Sequence, residues 1–472
     1  MKRILIIICS LVAVTTLSLG QTSGDATNGQ QPTARRAPDW VNNGIMYQIN
    51  PRAFTKEGTL SAATAKLEHL ARLGITIVYL WPVTPADDDM RQEFWSPRQK
   101  KSGLNNPRNP YRVKDYFNVD PEYGTNDDLK TFIKKAHSLG MRVLLDVVYF
   151  HCGPTALLIS EHPDFIVRDT EGNPVLGQWL FPKLNFDNPK LREYLWGNLA
   201  YWVKDFDADG FRWDVADGLP LDFEEEARKR LEKIRPDIGM LSEGSRPANQ
   251  LYAFDMSYGF PIYPVIRDVM DGKKPASDLA AIKIKQDSIQ PKGGRFVHYI
   301  DNHDISNDDY EKRREHHWGV DGVEAALTVC FMFDGIPMLY NGQEIADKSR
   351  HSLYGNLSID WSNAKTKEGK ARFDFCRKMI RLRKEHAALS ALGKSNYVAN
   401  DQSEAVLSFE RSDAYETLLV VVNLRKEPVT VHVQTDVAPV SKLSGKGKIV
   451  SNTQQPSFKL PRYGWFIGLK KN

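Results

Sequence analysis

Short apolar runs alternate with longer segments of helical periodicity from about residue 45 to residue 339, and this alternation limits the possible folds more than any other feature. The first cycle has a strand pattern at Ile45 to Ile49, a helical pattern that stops at Gly74, and a second strand pattern at Ile75 to Trp81. Repeats of this kind are typical of βα units that form a parallel sheet. Their number predicts a (β/α)8 barrel, whose functional residues lie at the carboxyl ends of the strands.

Later cycles follow the same pattern. Thr125 and Asp128 have the spacing of a capping box and predict the start of a helix before the third strand. Roughly 40 residues then separate the third strand from the next helix, which is too long for an ordinary βα loop. This segment predicts a small inserted subdomain, residues 152–189, that shapes a cleft. Further strands are predicted at Val143 to Val148, Gly210 to Trp213, Gly239 to Leu241, Phe296 to Ile300 and Gly335 to Leu339.

The pattern changes near residue 390, where period-two alternation replaces helical periodicity. The catalytic barrel is therefore assigned to residues 39–390 and an antiparallel β-sandwich to residues 391–472. Strands of this sandwich are predicted at Ala405 to Phe409, Leu418 to Val422, Val429 to Val433 and Trp465 to Leu469.

The amino terminus has the composition of a secretory signal peptide. Lys2 and Arg3 precede an apolar run from Ile4 to Leu19, and small residues follow at its end. We expect residues 1–20 to be this signal and residues 21–38 to be a flexible lead-in. The protein is then periplasmic or secreted. No later run reaches the roughly 18 apolar residues that a membrane span needs.

Charge and cysteine content exclude several other classes of function. The 63 basic and 59 acidic residues nearly balance and form no long basic run, so no nucleic-acid partner is expected. After removal of the signal, Cys152, Cys330 and Cys376 remain, and their wide spacings indicate neither a disulfide framework nor a zinc site. The acidic run Asp87 to Asp89 is interpreted as a solvated loop rather than a metal site.

Carboxylates at predicted strand ends indicate glycosidic bond hydrolysis. The retaining mechanism needs two carboxyl groups about 5 Å apart, a nucleophile and a proton donor. Period-two alternation places Arg212 and Asp214 on one side of a strand and Trp213 on the other. Glu243 ends the next predicted strand, and Asp304 follows a later one. An arginine beside Asp214 can hold that carboxylate ionised.

These ordered motifs resemble glycoside hydrolase family 13, the α-amylase family. Asp146 to His151, Gly210 to Asp214, Glu243, and Asn302 to Asp304 carry the resemblance. It also extends over Tyr47-Gln48, the segment from Tyr111 to Gly124, and the segment from Gly335 to Glu344.

The resemblance implies specific roles for these residues. Asp214 is the expected nucleophile, Glu243 the acid/base and Asp304 the carboxylate that orients the sugar. Asp146 is expected to support the site without reacting. The expected substrate-binding residues are Tyr111, His151, Arg212 and His303. Glu243 must keep its proton near neutrality, so we expect burial or a neighbouring carboxylate to raise its pKa.

The chain departs from the family pattern at two positions. Phe150 stands where relatives have an asparagine that binds calcium, so no cofactor is expected and the usual calcium site is in doubt. Val215 to Gly218 lacks the Lys-His pair of many endo-acting α-amylases. The stretch from Phe181 to Asn185 resembles a motif of the neopullulanase and cyclomaltodextrinase branch, which cleaves α-1,4 and often α-1,6 links in short glucans.

The predicted function is retaining hydrolysis of α-glucosidic bonds in maltooligosaccharides, cyclodextrins or starch-derived glucans, with an α-glucan as the binding partner. A transglycosylase or isomerase would use the same three carboxylates and exclude water from the covalent intermediate. An inactive glucan-binding protein is disfavoured by the intact Asp214, Glu243 and Asp304. The sequence leaves open the linkage preference, endo or exo action and the oligomeric state.

Overall fold

The computed structural model describes residues 31–308, 313–436, 439–451 and 455–470. Eight parallel strands close into a barrel in chain order. The predicted (β/α)8 barrel is confirmed by this topology. The sequence analysis missed the sixth strand, because three residues are too few to give a periodic signal. The strands are β1 Met46–Ile49, β2 Ile77–Leu80, β3 Arg142–Val147, β4 Gly210–Trp213, β5 Gly239–Ser242, β6 Met256–Tyr258, β7 Phe296–His298 and β8 Ile336–Tyr340.

Helices surround the barrel and cover its ends. The predicted capping box is present, because the Thr125 side chain accepts a hydrogen bond from the Asp128 amide and Asp128 binds back to the Thr125 amide. In chain order the helices are α1 Asp39–Asn42, α2 Pro51–Phe54, α3 Leu60–Leu73, α4 Pro97–Lys101, α5 Asn126–Ser138, α6 Leu157–Glu161, α7 Pro189–Phe206, α8 Leu221–Glu232, α9 Asn249–Tyr252, α10 Ile262–Met270, α11 Ser277–Ile289, α12 His303–Asp308, α13 Arg314–Met332 and α14 Lys367–Glu385.

Alternating side chains of the strands divide the core into two layers. Trp213 points outward and packs edge-on against Phe223 and Phe254 in the layer between barrel and helices. Arg212 points inward, where its guanidinium lies over the rings of Tyr79 and Tyr258. The predicted opposite orientation of these neighbours is therefore confirmed, and it brings a charged residue into the interior of the barrel.

Two paired glycines let β4 and β5 approach closely at the bottom of the barrel. Gly210 pairs with Gly239, and a Cβ atom on Gly210 would lie 1.9 Å from the Gly239 carbonyl oxygen. A Cβ on Gly239 would meet the Trp40 ring at 2.3 Å. Trp40 therefore packs against the strand starts that carry Asp214 and Glu243 at their opposite ends.

The segment between β3 and α7 forms a small unit above the barrel. It contains α6 and isolated bridges that join residues 151 to 183, 166 to 184, 168 to 174 and 176 to 182. The predicted inserted subdomain lies here. Isolated bridges do not make an independently stable sheet, so the segment depends on packing against the barrel.

The carboxyl-terminal region contains two antiparallel sheets. A five-stranded sheet has the order β13-β16-β11-β10-β9, and a three-stranded sheet has the order β12-β15-β14. Phe458 and Phe466 pack together in the apolar cluster between them. The predicted β-sandwich is confirmed, with more strands than the four predicted. These strands are β9 Lys394–Tyr397, β10 Val406–Ser412, β11 Thr417–Asn423, β12 Val429–His432, β13 Pro439–Gly445, β14 Lys448–Ser451, β15 Ser457–Leu460 and β16 Trp465–Lys470.

Two sequence predictions remain, the signal peptide and the absence of a disulfide framework. The predicted signal peptide, residues 1–20, lies outside the described part of the chain. Cys152, Cys330 and Cys376 are buried and free.

Candidate active site

The carboxyl ends of β3, β4 and β5 bring together four of the predicted site residues. Asp146 pairs with Arg212 in the strand register. The ladder continues past both strands, because the Asp214 amide donates to the Val147 carbonyl at 3.0 Å and the Glu243 amide donates to the Trp213 carbonyl at 3.1 Å. Backbone pairing therefore sets the height of both carboxyl groups.

One buried guanidinium contacts three carboxyl groups. Nη1 of Arg212 donates to Oδ1 of Asp146 and to Oδ1 of Asp214, both at 2.8 Å. Nη2 lies 2.7 Å from Oε1 of Glu243 as an ion pair without hydrogen-bond alignment. Asp214 thus receives a directed hydrogen bond from the arginine, whereas the interaction of Glu243 with the arginine is mainly electrostatic.

Glu243 obtains its directed hydrogen bond from strained backbone. The Val215 amide donates to Oε2 of Glu243 at 2.8 Å. Val215 has a φ of +47°, a left-handed conformation that is unfavourable for a β-branched residue. The next amide, of Ala216, donates to the Glu243 carbonyl at 3.1 Å. The turn after Asp214 therefore holds both the side chain and the backbone of Glu243.

Burial raises the pKa of all three carboxyl groups that share the arginine. The pKa of Asp146 rises to about 6, that of Asp214 to about 7 and that of Glu243 to about 8. In each case burial exceeds the opposing charge of Arg212, and neighbouring carboxylates add to the rise. The predicted rise for Glu243 is present. From the sequence we expected Arg212 to hold Asp214 ionised. Because Arg212 is shared by three buried carboxyl groups, the pKa of Asp214 is raised instead.

Asp146 occupies the centre of a hydrogen-bond network. Its Oδ2 accepts from the Tyr79 hydroxyl at 2.6 Å and from the Tyr111 hydroxyl at 3.1 Å, while Arg212 contacts both of its oxygens. Both oxygens of the Asp146 carboxylate therefore have hydrogen-bond partners within the protein. The predicted role of Asp146 in supporting the site is compatible with this geometry.

Gln48, His303 and Tyr111 continue the network. The Gln48 side-chain nitrogen lies 2.6 Å from Nδ1 of His303, and the Tyr111 hydroxyl lies 2.7 Å from Nε2. Burial lowers the pKa of His303 to about 4, so the ring is neutral near pH 7. Because the Gln48 amide donates to Nδ1, Nε2–H donates to Tyr111, which in turn donates to Asp146. The tautomer of His303 is thereby defined by its partners.

Asp304 lines the same cavity as Asp214 and Glu243. It pairs with Arg98, which is distant in sequence. Its Oδ1 accepts from Nη1 of Arg98 at 2.5 Å, and Nε2 of His303 lies 3.3 Å from Oδ2. Burial favours the neutral acid, but the charges of His303 and Arg98 outweigh it and lower the pKa of Asp304 to about 2. Since His303 is neutral near pH 7, Arg98 is the cation that keeps Asp304 ionised there.

His151 lines the cavity on the side of the inserted subdomain. Its Nε2 donates to the Tyr111 carbonyl at 2.9 Å, and burial lowers its pKa to about 4. The rings of Trp179 and Phe181 pack against it at centroid distances of 5.5 and 4.8 Å. His151 therefore links the barrel to the inserted subdomain.

These groups surround a single cavity of about 530 Å³. Asp214, Glu243, Asp304, Tyr111, His151 and His303 all line it. Arg212 and Asp146 lie beneath them. The sequence analysis did not assign a second set of lining residues to the site. These residues come from the short helix α4 and from loops and turns, where no periodic signal marks them. This set comprises Ser96, Pro97, Arg98, Asn109, Gln178, Trp179, Phe181, Val215, Leu353 and Tyr354.

Two residues near the family's usual calcium position bear on the predicted doubt about that site. Phe150 supplies an apolar ring there, and the nearby Asp217 accepts from the Ser245 amide at 2.7 Å, the Arg246 amide at 3.1 Å and the Asn249 side chain at 2.8 Å. A hard cation needs several oxygen ligands. Among the residues that the structure describes, no group of three or more His, Cys, Asp or Glu could hold a metal ion.

The interpretation of Asp87 to Asp89 as a solvated loop is wrong for Asp87. Its side chain is fully buried, and it accepts from Nη2 of Arg112 at 3.1 Å and from the Thr155 amide at 2.6 Å. Burial of a carboxylate is tolerated here because the arginine and the amides satisfy it. Asp87 thus joins the loop before Tyr111 to the inserted subdomain.

Comparison with known proteins identifies the family. Residues 21–165 and 176–388 match the catalytic domain of alpha amylase. The chain belongs to the α-amylase family. Residues 397–467 match the C-terminal domain of maltogenic amylase. The predicted family and enzyme class, an α-glucan-acting glycoside hydrolase, are confirmed by these matches.

Individual relatives refine this assignment. A cyclomaltodextrinase of Geobacillus thermopakistaniensis is 27% identical over 92% of this chain and 78% of the relative. The structure of a noncanonic maltogenic alpha-amylase from Thermotoga neapolitana has a TM-score of 0.79 at 26% identity, over 92% of this chain and all of that one. An alpha-amylase from Lactobacillus plantarum has a TM-score of 0.72 at 25% identity, covering 91% and 99%. The cyclomaltodextrinase among these relatives agrees with the resemblance of Phe181 to Asn185 to the neopullulanase and cyclomaltodextrinase branch.

Within residues 31–308, 313–436, 439–451 and 455–470, no helix is both long and apolar enough to cross a bilayer.

Proposed function

We propose that the protein hydrolyses α-glucosidic bonds with retention, using Asp214 as nucleophile and Glu243 as acid/base. The observation that carries this proposal is the contact of both carboxyl groups with the two terminal nitrogens of Arg212, at 2.8 and 2.7 Å. Contact with one guanidinium keeps the carboxyl groups close together. Direct attack needs a separation of about 5 to 5.5 Å, whereas an inverting enzyme needs about 6.5 to 9.5 Å for a water molecule.

The reaction follows from these positions. The Glu243 carboxyl donates its proton to the glycosidic oxygen while Asp214 attacks the anomeric carbon, which breaks the glycosidic bond and forms a glycosyl ester. The shortened glucan leaves with the proton. Glu243, now a carboxylate, removes a proton from water, whose oxygen attacks the same carbon and releases Asp214. Both carboxyl groups return to their starting state.

The order of the pKa values supports this division of roles. The pKa of Asp214 is raised to about 7 and that of Glu243 to about 8, so Asp214 loses its proton first as the pH rises. In the window between them the nucleophile is ionised while the acid keeps its proton, as the first step requires. At Asp214 a directed hydrogen bond from Arg212 adds to the charge that lowers the pKa, whereas at Glu243 Arg212 lowers the pKa through its charge.

The remaining polar groups bind the ring that is being cleaved. Ionised Asp304 can accept hydrogen bonds from two sugar hydroxyls, and neutral His303 lies beside it. Tyr111, which stacks on His303 at 5.5 Å, presents an aromatic face to the cavity. Hydrogen bonds that shorten as the ring flattens contribute to stabilisation of the transition state.

Short or cyclic α-glucans are the proposed substrates. The chain lacks the Lys-His pair after Asp214, it carries the Phe181 to Asn185 stretch, and the relatives named above include a cyclomaltodextrinase. If few sites bind sugars far from the cleavage point, kcat/KM stops rising at short chain length. Transfer to a sugar instead of water is the alternative outcome, because the same ester intermediate serves both reactions.

Product analysis tests the proposal. The enzyme is incubated with a maltooligosaccharide ladder, a cyclodextrin, pullulan and soluble starch, and the first product is observed by proton NMR. We expect the α-anomer to form first and kcat/KM to level off at short chains. An initial β-anomer would overturn the mechanism, and a steady rise with length, with starch best, would overturn the substrate preference.

We also propose that the protein is exported, to the periplasm or outside the cell. The support is the charged and apolar pattern of residues 1–20. Amino-terminal sequencing of the protein isolated from its native host tests this. A mature chain that begins near Gln21 is expected, and an intact Met1 in the cytoplasmic fraction would contradict export.

A further inference from the structure

The turn after Asp214 adopts an unfavourable conformation that other contacts must stabilise. Val215 has a φ of +47°, and its amide is the directed donor to Oε2 of Glu243 at 2.8 Å. The turn is closed by the Gly218 amide, which donates to the Val215 carbonyl at 2.8 Å. A β-branched residue keeps a left-handed conformation only where its surroundings enforce it. Asp217 lies inside this turn and makes contacts of that kind.

Both oxygens of Asp217 accept hydrogen bonds from the loop that follows Glu243. Oδ2 accepts from the Ser245 amide at 2.7 Å and from the Arg246 amide at 3.1 Å. Oδ1 accepts from the side-chain nitrogen of Asn249 at 2.8 Å. The loop after β5 therefore cannot shift without breaking several hydrogen bonds to the turn after β4.

The two residues adjacent to Glu243 take part in the same set of contacts. Nδ2 of Asn249, a fully buried residue, also donates to the Ser242 hydroxyl at 2.8 Å. Gly244 lies so close to Asp217 that a Cβ atom at this position would be 2.1 Å from Oδ1. Only glycine permits this approach without movement of the chain. The backbone of Glu243 is thus held from both sides, through Ser242 and through Gly244.

Arg246 connects this loop to the interior of the protein. Its Nη2 donates to Oε2 of Glu224 at 2.6 Å, and its Nε donates to the side-chain oxygen of Asn249 at 2.7 Å. Glu224 belongs to α8 and is fully buried. The Asn249 side chain therefore has partners for both its oxygen and its nitrogen, which fixes the direction in which it donates to Asp217.

We propose that Asp217 is a positioning residue, which places the Glu243 carboxyl through the Val215 turn and the loop after β5. The inference rests on the proposed function, since that function makes Glu243 the acid/base. Asp217 lies in the segment that lacks the Lys-His pair of many endo-acting α-amylases. In this chain a side chain of that segment binds the loop that carries the acid/base.

A positioning role of this kind predicts a loss of activity that depends on the leaving group. The sugar that leaves maltopentaose must receive a proton from Glu243, whereas fluoride leaves α-maltosyl fluoride as a stable anion. The value of kcat/KM reports the steps up to the first bond cleavage. Misplacement of Glu243 therefore lowers kcat/KM for maltopentaose more than for the fluoride. A general loss of folded enzyme lowers both equally.

Three variants separate the position of the loop from the charge of Asp217. Asp217→Ala removes every hydrogen bond of the carboxylate, and Asp217→Asn removes the charge but keeps an acceptor oxygen. Gly244→Ala keeps Asp217 but places a Cβ atom against it. Asp222→Ala is the matched control, because Asp222 is an exposed carboxylate in the first turn of α8 that pairs with Arg192. Melting temperatures establish that each variant is folded.

We expect Asp217→Ala and Gly244→Ala to lower kcat/KM for maltopentaose about tenfold more than for α-maltosyl fluoride, because a displaced carboxyl donates its proton less efficiently. For Asp217→Asn the two substrates should differ by about twofold at most, since the amide oxygen still accepts from the loop. Asp222→Ala should leave both values unchanged.

The pH profile provides a second measure. Burial raises the pKa of Glu243 to about 8, whereas the hydrogen bond from the Val215 amide lowers it. Loss of this bond in Asp217→Ala and Gly244→Ala disfavours the carboxylate, so the basic limb of kcat/KM for maltopentaose should move to higher pH. The variants leave unchanged the charged and titratable groups around Glu243, which include Asp146, Arg212, Asp214, Tyr258, Tyr299 and Asp304.

Equal losses on the two substrates in Asp217→Ala would overturn the proposal, whether or not Gly244→Ala folds. Asp217→Asn as impaired as Asp217→Ala would also overturn it, because charge and not position would then be the cause. Glu243→Gln separates these outcomes from a failure of the proposed function. It should lose maltopentaose cleavage and retain the first release of fluoride, and if it does not, the assignment of Glu243 fails whatever the Asp217 variants show.

Discussion

The two walls of the catalytic pocket are built in different ways. The barrel wall consists of charged groups held by strand pairing, in which Arg212 donates to both Asp146 and Asp214 at 2.8 Å. The wall from the inserted subdomain consists of Trp179, Phe181 and other residues on turns and isolated bridges. Buried charges tolerate little movement, because an unpaired one is strongly destabilising. A partly exposed aromatic side chain such as that of Trp179 tolerates substitution far better.

The two walls are therefore expected to have different roles in catalysis and in substrate selection. The chemistry depends on the barrel wall, whose geometry follows from backbone register, and the choice of substrate depends on the loops and the inserted segment. Substitutions on the first wall should therefore change kcat for every substrate. Substitutions on the second should change the relative rates for different substrates.

The largest expected effect is the loss of the nucleophile. Asp214→Asn keeps the shape of the side chain but removes the attacking charge, so we expect kcat to fall by roughly 10⁵-fold with every substrate. Initial rates on α-maltosyl fluoride and maltopentaose measure this, with thermal unfolding as the control for folding. Near-normal rates in the purified variant would falsify the assignment of Asp214.

Replacement of the shared arginine should have the next largest effect. Arg212→Lys keeps one charge but loses the planar fork that contacts Asp214 and Glu243 together. Misplacement of the two carboxyls should lower kcat about 100-fold, again for all substrates. The pKa of Asp214 should also rise, which moves the acidic limb of the pH profile upward. An unchanged acidic limb would show that Arg212 does not control the nucleophile.

The pH profile of the unaltered enzyme tests the electrostatics of the barrel wall. Asp214, with a pKa raised to about 7, must be ionised, so activity is lost as the pH falls below that value. Glu243, with a pKa raised to about 8, must be protonated, so activity is lost as the pH rises above it. We expect kcat/KM to peak between these values and to fall about tenfold per pH unit outside them. A plateau that extends below pH 5 contradicts the shared-cation arrangement.

A smaller effect is expected from Arg98, which lies on the short helix α4 and pairs with Asp304. The two side chains are 36% and 33% exposed, so solvent screens the pair. Arg98→Gln should lower kcat/KM about three- to tenfold, because Asp304 loses the cation that orients it. High salt should have a similar effect on the unaltered enzyme. Arg91→Gln, which removes the pair between the exposed Arg91 side chain and Asp89, is the matched control and should leave kcat/KM as it is.

The smallest effect is expected from a chelator. Phe150 supplies no oxygen ligand where relatives bind calcium, so dialysis against EDTA should change the melting temperature and activity very little. Differential scanning calorimetry before and after dialysis measures this. A large loss that added calcium restores would show that a metal site exists elsewhere in the chain.

The barrel and most of its strands could be predicted because local patterns report them directly. Gly210–Trp213 was predicted residue for residue, since period-two alternation and its flanking polar residues are unambiguous. The short β6 and the strands β9 and β13 to β15 were missed, because three or four residues or broken alternation carry no clear periodic signal. Their pairing depends on neighbouring strands.

The site residues, too, could be predicted only where local sequence patterns mark them. Asp214, Glu243 and Asp304 were predicted from their positions at strand ends and from the family motifs, and all three line one cavity. Arg98 was missed because 206 residues separate it from Asp304 and nothing near Arg98 marks it as a partner. The burial of Asp87 was missed for the same reason, since its partners Arg112 and Thr155 come from other loops.

The sequence by itself determined the order of βα units and which residue types stand at the strand ends, because hydrophobic periodicity and motif spacing are local properties. Only the tertiary structure decided that Arg212 is shared among three carboxyls, that Asp304 pairs with Arg98, and that a second cavity opens beside Phe150. These features depend on distances between segments far apart in the chain and on the burial that their packing produces. Electrostatics and cavity shape arise from such long-range contacts, so they follow the fold and not the local pattern.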